Sequence, residues 1–87
     1  MSRYRVELTP AAARQLRKLP RDAGPRIRGV IDLLAVDPRP PTSRPLRGRP
    51  AYRVRSGDYR VIYTIEDDRL LVVIIRLGHR RDVYRQG

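Results

Sequence analysis

The 87-residue chain contains no cysteine, one histidine and one lysine. Without cysteine it can form neither a disulfide nor a thiolate metal site, and one histidine, His79, excludes a metal cluster of several histidines. No apolar run approaches the roughly 20 residues of a membrane-spanning helix, and the opening residues MSRYRVEL lack the apolar core of a signal peptide. We therefore expect a cytoplasmic protein with no metal, no cofactor and no membrane partner.

Negative charge is scarce as well. Nine acidic residues against 20 lysines and arginines give a formal net charge of +11, and all 20 except Lys18 are arginines. So much positive charge favours a polyanionic partner, either a nucleic acid or an acidic protein. Arginine matches phosphate in geometry and keeps its charge, but it is a poor proton acceptor. A catalytic base must therefore be a residue of another type.

The first part of the chain predicts one strand and two helices. Residues 3–8 alternate between apolar and polar side chains, which is typical of a strand. Thr9 and Pro10 suit the N-cap and the first position of a helix that Pro20 ends. A second helix is predicted from about residue 22 or 25 to 36. Its apolar residues recur at helical spacing, at Ile27, Val30, Ile31 and Leu34.

The second part of the chain predicts three more strands. Residues 37–50 carry five prolines, so we expect an irregular basic connection that Leu46 holds to the body. Strands follow at residues 52–55 and 59–65, and the most apolar stretch, residues 70–77, predicts a central strand. The order β-α-α-β-β-β indicates a single α+β domain spanning the whole chain. We expect one mainly antiparallel sheet with the helical hairpin on one face.

The hairpin between Tyr52 and Tyr63, YRVRSGDYRVIY, places three arginines on rigid strands. Arg53 and Arg55 are two residues apart and share one strand face, and Arg60 lies within the next strand. Because a buried unpaired cation is costly, these arginines lie either on a solvated outer face or on a face that binds anions. The hairpin alone does not decide between the two.

Other segments accompany this hairpin in a recognisable order. GHRRDVYR follows the apolar strand, YRVEL opens the chain, ARQLRKLP lies in the helical hairpin, and LRGRP precedes the second strand. Together these segments resemble the RelE/ParE superfamily of toxins of bacterial type II toxin–antitoxin systems, in its RelE-like branch. The resemblance implies a RelE-like fold and one of two activities. RelE-type toxins cut messenger RNA in the ribosomal decoding site, whereas ParE-type toxins inhibit DNA gyrase.

The resemblance also implies site residues. RelE-type nucleases are similar in carrying basic residues on the second strand, an arginine on the third, and an arginine and a tyrosine after the last. In this sequence those positions are Arg53, Arg55, Arg60, Arg80 and Tyr84. Arg60 and Arg80 suit stabilisation of the charge on a reacting phosphate. Arg53 and Arg55 suit phosphate positioning, and Tyr84 suits either stacking on an RNA base or packing on the sheet.

The sequence departs from the family where a proton acceptor is needed. Members of the family often have lysine at the positions of Arg53 and Arg55, and arginine replaces lysine poorly as a base. Related toxins use a histidine near the C-terminal end in catalysis, so His79 is the candidate for acid–base transfer. The alternative is that His79 is an ordinary surface residue at a strand end.

Three further arginines are candidates for contacts with RNA phosphates. Arg47 and Arg49 lie in the proline-rich connection, and a solvated loop is the alternative explanation for them. Arg81 follows the last strand, where it would contact RNA, face an antitoxin or remain solvated.

The function that these observations predict is that of a ribosome-dependent messenger RNA endoribonuclease that arrests translation. Its expected partners are a cognate antitoxin with an acidic, partly helical segment, messenger RNA in the ribosomal A site, small-subunit ribosomal RNA and, through the antitoxin, operator DNA. Two alternatives stay open. One is a ParE-like inhibitor of DNA gyrase, and the other is a degenerate toxin that acts only as an antitoxin- and operator-binding co-repressor.

Overall fold

The structure, a computed structural model, describes residues 3–80 of the chain. These residues form two helices and a five-stranded sheet, which confirms the predicted α+β class. In chain order the elements are β1 Arg5–Leu8, α1 Pro10–Arg17, α2 Ala23–Val36, β2 Ser43–Pro45, β3 Tyr52–Ser56, β4 Tyr59–Glu66, a 3₁₀ turn Asp67–Arg69, and β5 Leu71–His79.

The strands lie in the order β1-β5-β4-β3-β2. The β1–β5 pair is parallel and the other three pairs are antiparallel, so the mainly antiparallel sheet is confirmed. The most apolar strand, β5, lies inside the sheet between β1 and β4, which confirms its predicted placement. Its predicted end at residue 77 is wrong, because pairing with β4 continues to His79.

Both helices pack on one face of the sheet, as the single apolar stripe of each predicts. The Thr9 hydroxyl accepts a hydrogen bond from the Ala12 amide at 3.1 Å, and Pro10 takes the first position of α1, so this helix begins as expected. In α2, Ile27 and Leu34 are fully buried. They share one core with six residues of the sheet: Val54, Val61, Tyr63, Val72, Ile74 and Leu77.

The proline-rich connection contains a strand that the sequence does not reveal. Residues 43–45 form β2, which pairs with β3, so the expectation of wholly irregular chain over residues 37–50 is wrong at this point. Pro45 is tolerated because β2 is an edge strand, where a missing amide donor costs no ladder bond. Leu46 packs into a small second apolar cluster, which confirms that it holds the connection to the body.

A polar cluster, which we call the Arg39 clamp, secures the start of this connection. Arg39 donates hydrogen bonds to both carboxylate oxygens of Asp67, at 3.2 and 2.9 Å, and to the Tyr52 hydroxyl at 3.3 Å. Tyr4 also donates to Asp67, at 2.5 Å. These two donors lower the pKa of Asp67 to about 2, and the carboxylate raises the pKa of Tyr4. The chain after α2 is thereby joined to β3, to the β4–β5 turn and, through Asp67, to the residue before β1.

A bulge decides which residues flank the start of β4. Between Ile62 and Tyr63 the register shifts, so Ile75 is an extra residue in β5. A bulge of this kind bends a strand and increases its twist. Beyond it, Gly78 lies directly opposite Arg60.

Candidate functional site

Strand alternation directs the side chains of β4 into two environments. Val61 and Tyr63 belong to the core beneath the helices, whereas Ile62 packs in the second apolar cluster with Ala51. Arg60 shares the side of Ile62, because residues two apart in a strand point the same way. We call this side, which neither helix of the described chain covers, the open face.

Arg60 is the most unusual residue of the open face, since it carries a charge and is only 7% exposed. Its Nη1 donates to the carbonyl oxygens of Gly57 at 3.3 Å and Tyr59 at 3.2 Å. Within residues 3–80, its Nε has no hydrogen-bond partner, and no ion pair includes it. A buried cation held by neutral carbonyls is costly. That cost favours a bound anion as its partner.

Strand β3 adds two more arginines to the open face. Arg55 is exposed and lies directly opposite Arg60 in the antiparallel pair. Like charges placed opposite each other destabilise a sheet, so this pairing is a cost that an anion would offset. Arg53 is half-buried and shares the face two residues earlier in β3. The structure therefore brings Arg53, Arg55 and Arg60 to one surface.

Strand β5 places a glycine on the other side of Arg60. This residue, Gly78, has no side chain, and its φ of 153° is a value that residues with a side chain rarely adopt. Two residues later, the Arg80 amide donates to the Asp58 carbonyl at 2.8 Å. Arg80 is exposed, and this bond holds it beside the β3–β4 turn, at the same end of the sheet as Arg60.

His79 lies on the other side of the sheet from Arg60. It pairs with Tyr59, and the two rings meet edge-on with centroids 5.8 Å apart and planes at 76°. Tyr59 in turn packs against the core beneath the helices. The structure thus does not bring the imidazole and the Arg60 guanidinium to one face, and proton transfer by His79 stays a prediction.

The remaining candidates lie away from this surface or beyond the described chain. Arg47 and Arg49 are exposed in the loop between β2 and β3. That loop is at the opposite end of β3 from the β3–β4 turn, so these two arginines do not adjoin Arg60. Arg81 and Tyr84 lie outside the described residues, and their assigned roles stay predictions.

Arg44, one of the arginines of the proline-rich connection, lies in β2 directly opposite Arg53, a placement that sequence reasoning missed. Residues opposite each other in neighbouring strands share a face, so Arg44 extends the arginine surface to the sheet edge. Its Nη1 donates to the carbonyls of Pro41 at 3.0 Å and Ser43 at 2.8 Å, which orients the side chain. Nothing in the sequence separates Arg44 from its basic neighbours, because the prolines around it conceal the strand.

Other kinds of site were sought in the same part of the chain. Residues 3–80 contain no group of three or more His, Cys, Asp or Glu placed to hold a metal ion. Over those residues, neither helix has the length and apolar character needed to span a membrane. What the open face offers to a ligand is a set of fixed guanidinium groups, which bind phosphate and stabilise negative charge.

Fold and surface together define a small basic toxin of the type II toxin–antitoxin class. The chain belongs to the family described as the ParE toxin of the type II toxin–antitoxin system parDE, whose model matches residues 6–84. It is therefore a member of the RelE/ParE superfamily, and its relatives place it in the RelE-like branch, as its motifs predicted.

Three relatives illustrate this placement. Toxin RelG of Mycobacterium tuberculosis is 39% identical over 89 residues, which cover 95% of this chain and 98% of the relative. Toxin RelE of the same organism is 36% identical over 87 residues, with 97% and 89% covered. The crystal structure of the RelBE2 toxin–antitoxin complex from M. tuberculosis matches with a TM-score of 0.82 and 34% identity, over 94% of this chain and 97% of that chain.

Proposed function

We propose that this toxin is a ribosome-dependent messenger RNA endoribonuclease that arrests translation, and that it acts in the cytoplasm. The observation that carries the proposal is Arg60. It is buried, its Nε has no partner within residues 3–80, and Arg55 faces it directly. A preorganised cation of this kind suits a phosphate whose negative charge increases during the reaction.

Cleavage through the ribose 2′-hydroxyl uses such a cation directly. The 2′-oxygen loses its proton to a base and attacks phosphorus, which gives a phosphorane with extra negative charge. The bond to the 5′-oxygen of the next nucleotide then breaks as that oxygen takes up a proton from an acid, and a 2′,3′-cyclic phosphate remains. Arg60 and Arg80 would stabilise that charge. Arg53 and Arg55 would hold the phosphates on either side, since a guanidinium can bind two phosphate oxygens at once.

The proton of the 2′-hydroxyl needs an acceptor that no arginine supplies. His79 is the candidate, because it lies at the end of β5 next to Arg80, where RNA passing around the strand end would reach it. Its ring contact with Tyr59 gives it a competing structural role. Tyr84 would stack on an unpaired RNA base, as recognition of single-stranded RNA commonly requires.

A cognate antitoxin is the proposed regulator of this activity. The related RelBE2 structure is a toxin–antitoxin complex, and the match covers 97% of the chain compared. The net charge of +11 suits an acidic partner, whose binding would neutralise the open face. Operator DNA would then be contacted through the antitoxin.

Induced expression in growing cells tests the nuclease activity. Mapped 5′ ends of messenger RNA should reveal cuts within translated regions for the wild type and no such cuts for Arg60→Ala. The same message without a start codon should stay intact. Arg28→Ala removes an exposed arginine of α2 and serves as the matched control, which should cut like the wild type. Cuts in the untranslated message would contradict dependence on the ribosome.

Gyrase inhibition is the second candidate, because the matching family model is described as a ParE toxin. Arginine at positions 53 and 55, where RelE-type toxins often carry lysine, also weakens the proton-transfer chemistry. Intact messages with accumulating gyrase–DNA breaks would assign the toxin to this activity. If messages stay intact, no such breaks accumulate and the protein still binds its antitoxin, the remaining function is that of a co-repressor.

A further inference from the structure

A second guanidinium group, from Arg26, contacts the β3–β4 turn on the side opposite Arg60. Arg26 is exposed near the start of α2, and its Cζ lies 5.9 Å from the centroid of the Tyr59 ring. Its two terminal nitrogens lie 3.6 Å from the position that a Cβ on Gly57 would occupy. The side chain therefore lies on the Tyr59 ring and over Gly57, at van der Waals distance from where a side chain at position 57 would begin.

The same two residues hold Arg60. Gly57 and Tyr59 provide the carbonyl oxygens that accept the hydrogen bonds from Arg60 Nη1, at 3.3 and 3.2 Å. The Tyr59 ring also has the edge-on contact with His79 at 5.8 Å. The turn that carries both carbonyls thus lies between two guanidinium groups, one from α2 and one from β4.

We propose that Arg26 is a positioning residue for Arg60. By packing on the Tyr59 ring and lying over Gly57, it restricts the turn whose two carbonyls orient the Arg60 guanidinium, and so fixes how that group meets a phosphate. The geometry matters because a misplacement of about 1 Å at a reacting centre can cost roughly 100-fold in rate. The consequence for RNA cleavage rests on the proposed function, whereas the consequence for anion binding does not.

The first test uses the full-length toxin with inorganic phosphate as the probe. NMR would follow the Nε–H signal of Arg60, assigned by its absence in Arg60→Lys, during a phosphate titration. Arg26→Ala should displace this signal before phosphate is added and weaken phosphate binding roughly 2- to 5-fold, the loss that one exposed cation–π contact would give. Arg28→Ala removes the same charge from the same helix and should leave the signal in place. The titration is carried out at near-physiological salt, where the Debye length is about 8 Å, so that loss of one distant positive charge by itself has little effect on phosphate binding.

A conservative variant separates packing from charge. Arg26→Lys keeps a cation near Tyr59 but lacks the planar guanidinium that lies over Gly57. If Arg26 acts by positioning, the Arg60 Nε–H signal of Arg26→Lys without phosphate should be displaced from its wild-type position, as it is in Arg26→Ala. Full restoration by lysine, or identical spectra for Arg26→Ala and Arg28→Ala, would overturn the proposal.

The second test measures ribosome-dependent cleavage. Arg26→Ala should lower kcat by roughly 10-fold with KM little changed, a smaller loss than the roughly 100-fold expected when a stabilising donor is deleted. If the wild type does not cleave, the proposed function fails while the phosphate titration still decides the inference. If the wild type cleaves and Arg26→Ala matches Arg28→Ala in both assays, the positioning proposal alone fails. Thermal melting of each variant identifies any that do not fold.

Discussion

At the scale of single residues, Arg60 combines permanent charge with burial. An arginine keeps its proton under all physiological conditions, and this one is only 7% exposed, with its hydrogen bonds to the described residues going to neutral carbonyls. Such a residue lowers the stability of the free protein and stabilises a ligand that brings negative charge. This combination is the reason that the open face, and not the solvated loop at Arg47, is the proposed site.

Substitution of Arg60 should separate activity from stability. Arg60→Met is apolar and of similar length, so it should reduce cleavage by roughly 100- to 1000-fold without lowering the melting temperature. Arg60→Lys should recover only part of the rate, because a point charge replaces a planar fork. Single-turnover cleavage on programmed ribosomes and thermal melting measure the two effects. A loss of rate accompanied by a lower melting temperature in Arg60→Met would contradict this account.

Two substitutions of His79 distinguish proton transfer from ring packing. If His79 accepts the proton, His79→Ala and His79→Phe should both slow cleavage about 100-fold, since neither side chain can accept or donate a proton. Single-turnover rates provide the measurement. Recovery of the rate by His79→Phe would show that the edge-on contact with Tyr59 is what matters, and the acceptor would then be another group.

At the scale of elements, the β3–β4 hairpin is held at both ends by contacts from elsewhere in the chain. Near its turn, Arg26 of α2 packs on Tyr59. At its open end, Tyr52 stacks on Tyr63 with centroids 5.9 Å apart, and Arg39 lies over the Tyr52 ring at 5.4 Å. A hairpin fixed in this way holds its arginines on rigid strands, which position a site more accurately than loops do.

The Arg39 clamp should make the stability of the folded chain depend on pH in the acidic range. The pKa of Asp67 is about 2 in the folded chain, below its ordinary value of 3.8. The stabilisation is therefore complete above about pH 4 and is lost as the pH falls towards 2. Asp67→Asn should melt at a lower temperature than the wild type at pH 6, and the difference should shrink at pH 2.5. Asp68→Asn, at an exposed neighbour, is the control. An equal difference at both pH values would contradict the linkage.

At the scale of the whole molecule, burial and charge are divided between the two faces of one sheet. The helices cover one face with a continuous apolar core, and the other face carries arginines from β2, β3 and β4. A net charge of +11 attracts polyanions at long range, and the open face is the surface that we propose to bind them.

This distribution predicts a strong dependence of ribosome binding on salt. Each phosphate that an arginine neutralises releases counterions, so affinity should fall steeply between about 50 and 200 mM salt. Arg55→Ala should reduce the slope of log affinity against log salt by roughly one. Arg28→Ala should reduce it less, because Arg28 lies on a helix away from the open face. A flat dependence for the wild type would mean that the arginines are merely solvated.

Local patterns in the sequence were sufficient for the two helices, for four of the five strands and for the family. The apolar stripe of α2 and the shared face of Arg53 and Arg55 follow from the 3.6- and 2-residue periods, and the start of α1 follows from the Thr9 hydroxyl before Pro10. All three involve only near neighbours. The motifs around the central hairpin were enough to recognise the superfamily. The role of Arg60 was predicted from its place in a strand and from the family resemblance, and it stays a prediction, whereas its burial was not predicted.

The tertiary structure alone decided how these parts meet. It formed β2 among prolines, placed Gly78 beside Arg60 through a bulge, turned His79 to the other face, and brought Arg26 onto the β3–β4 turn. Each of these results joins segments that are distant in sequence. No local period encodes such a contact, because strand register, burial and the approach of a helix depend on how the whole chain packs.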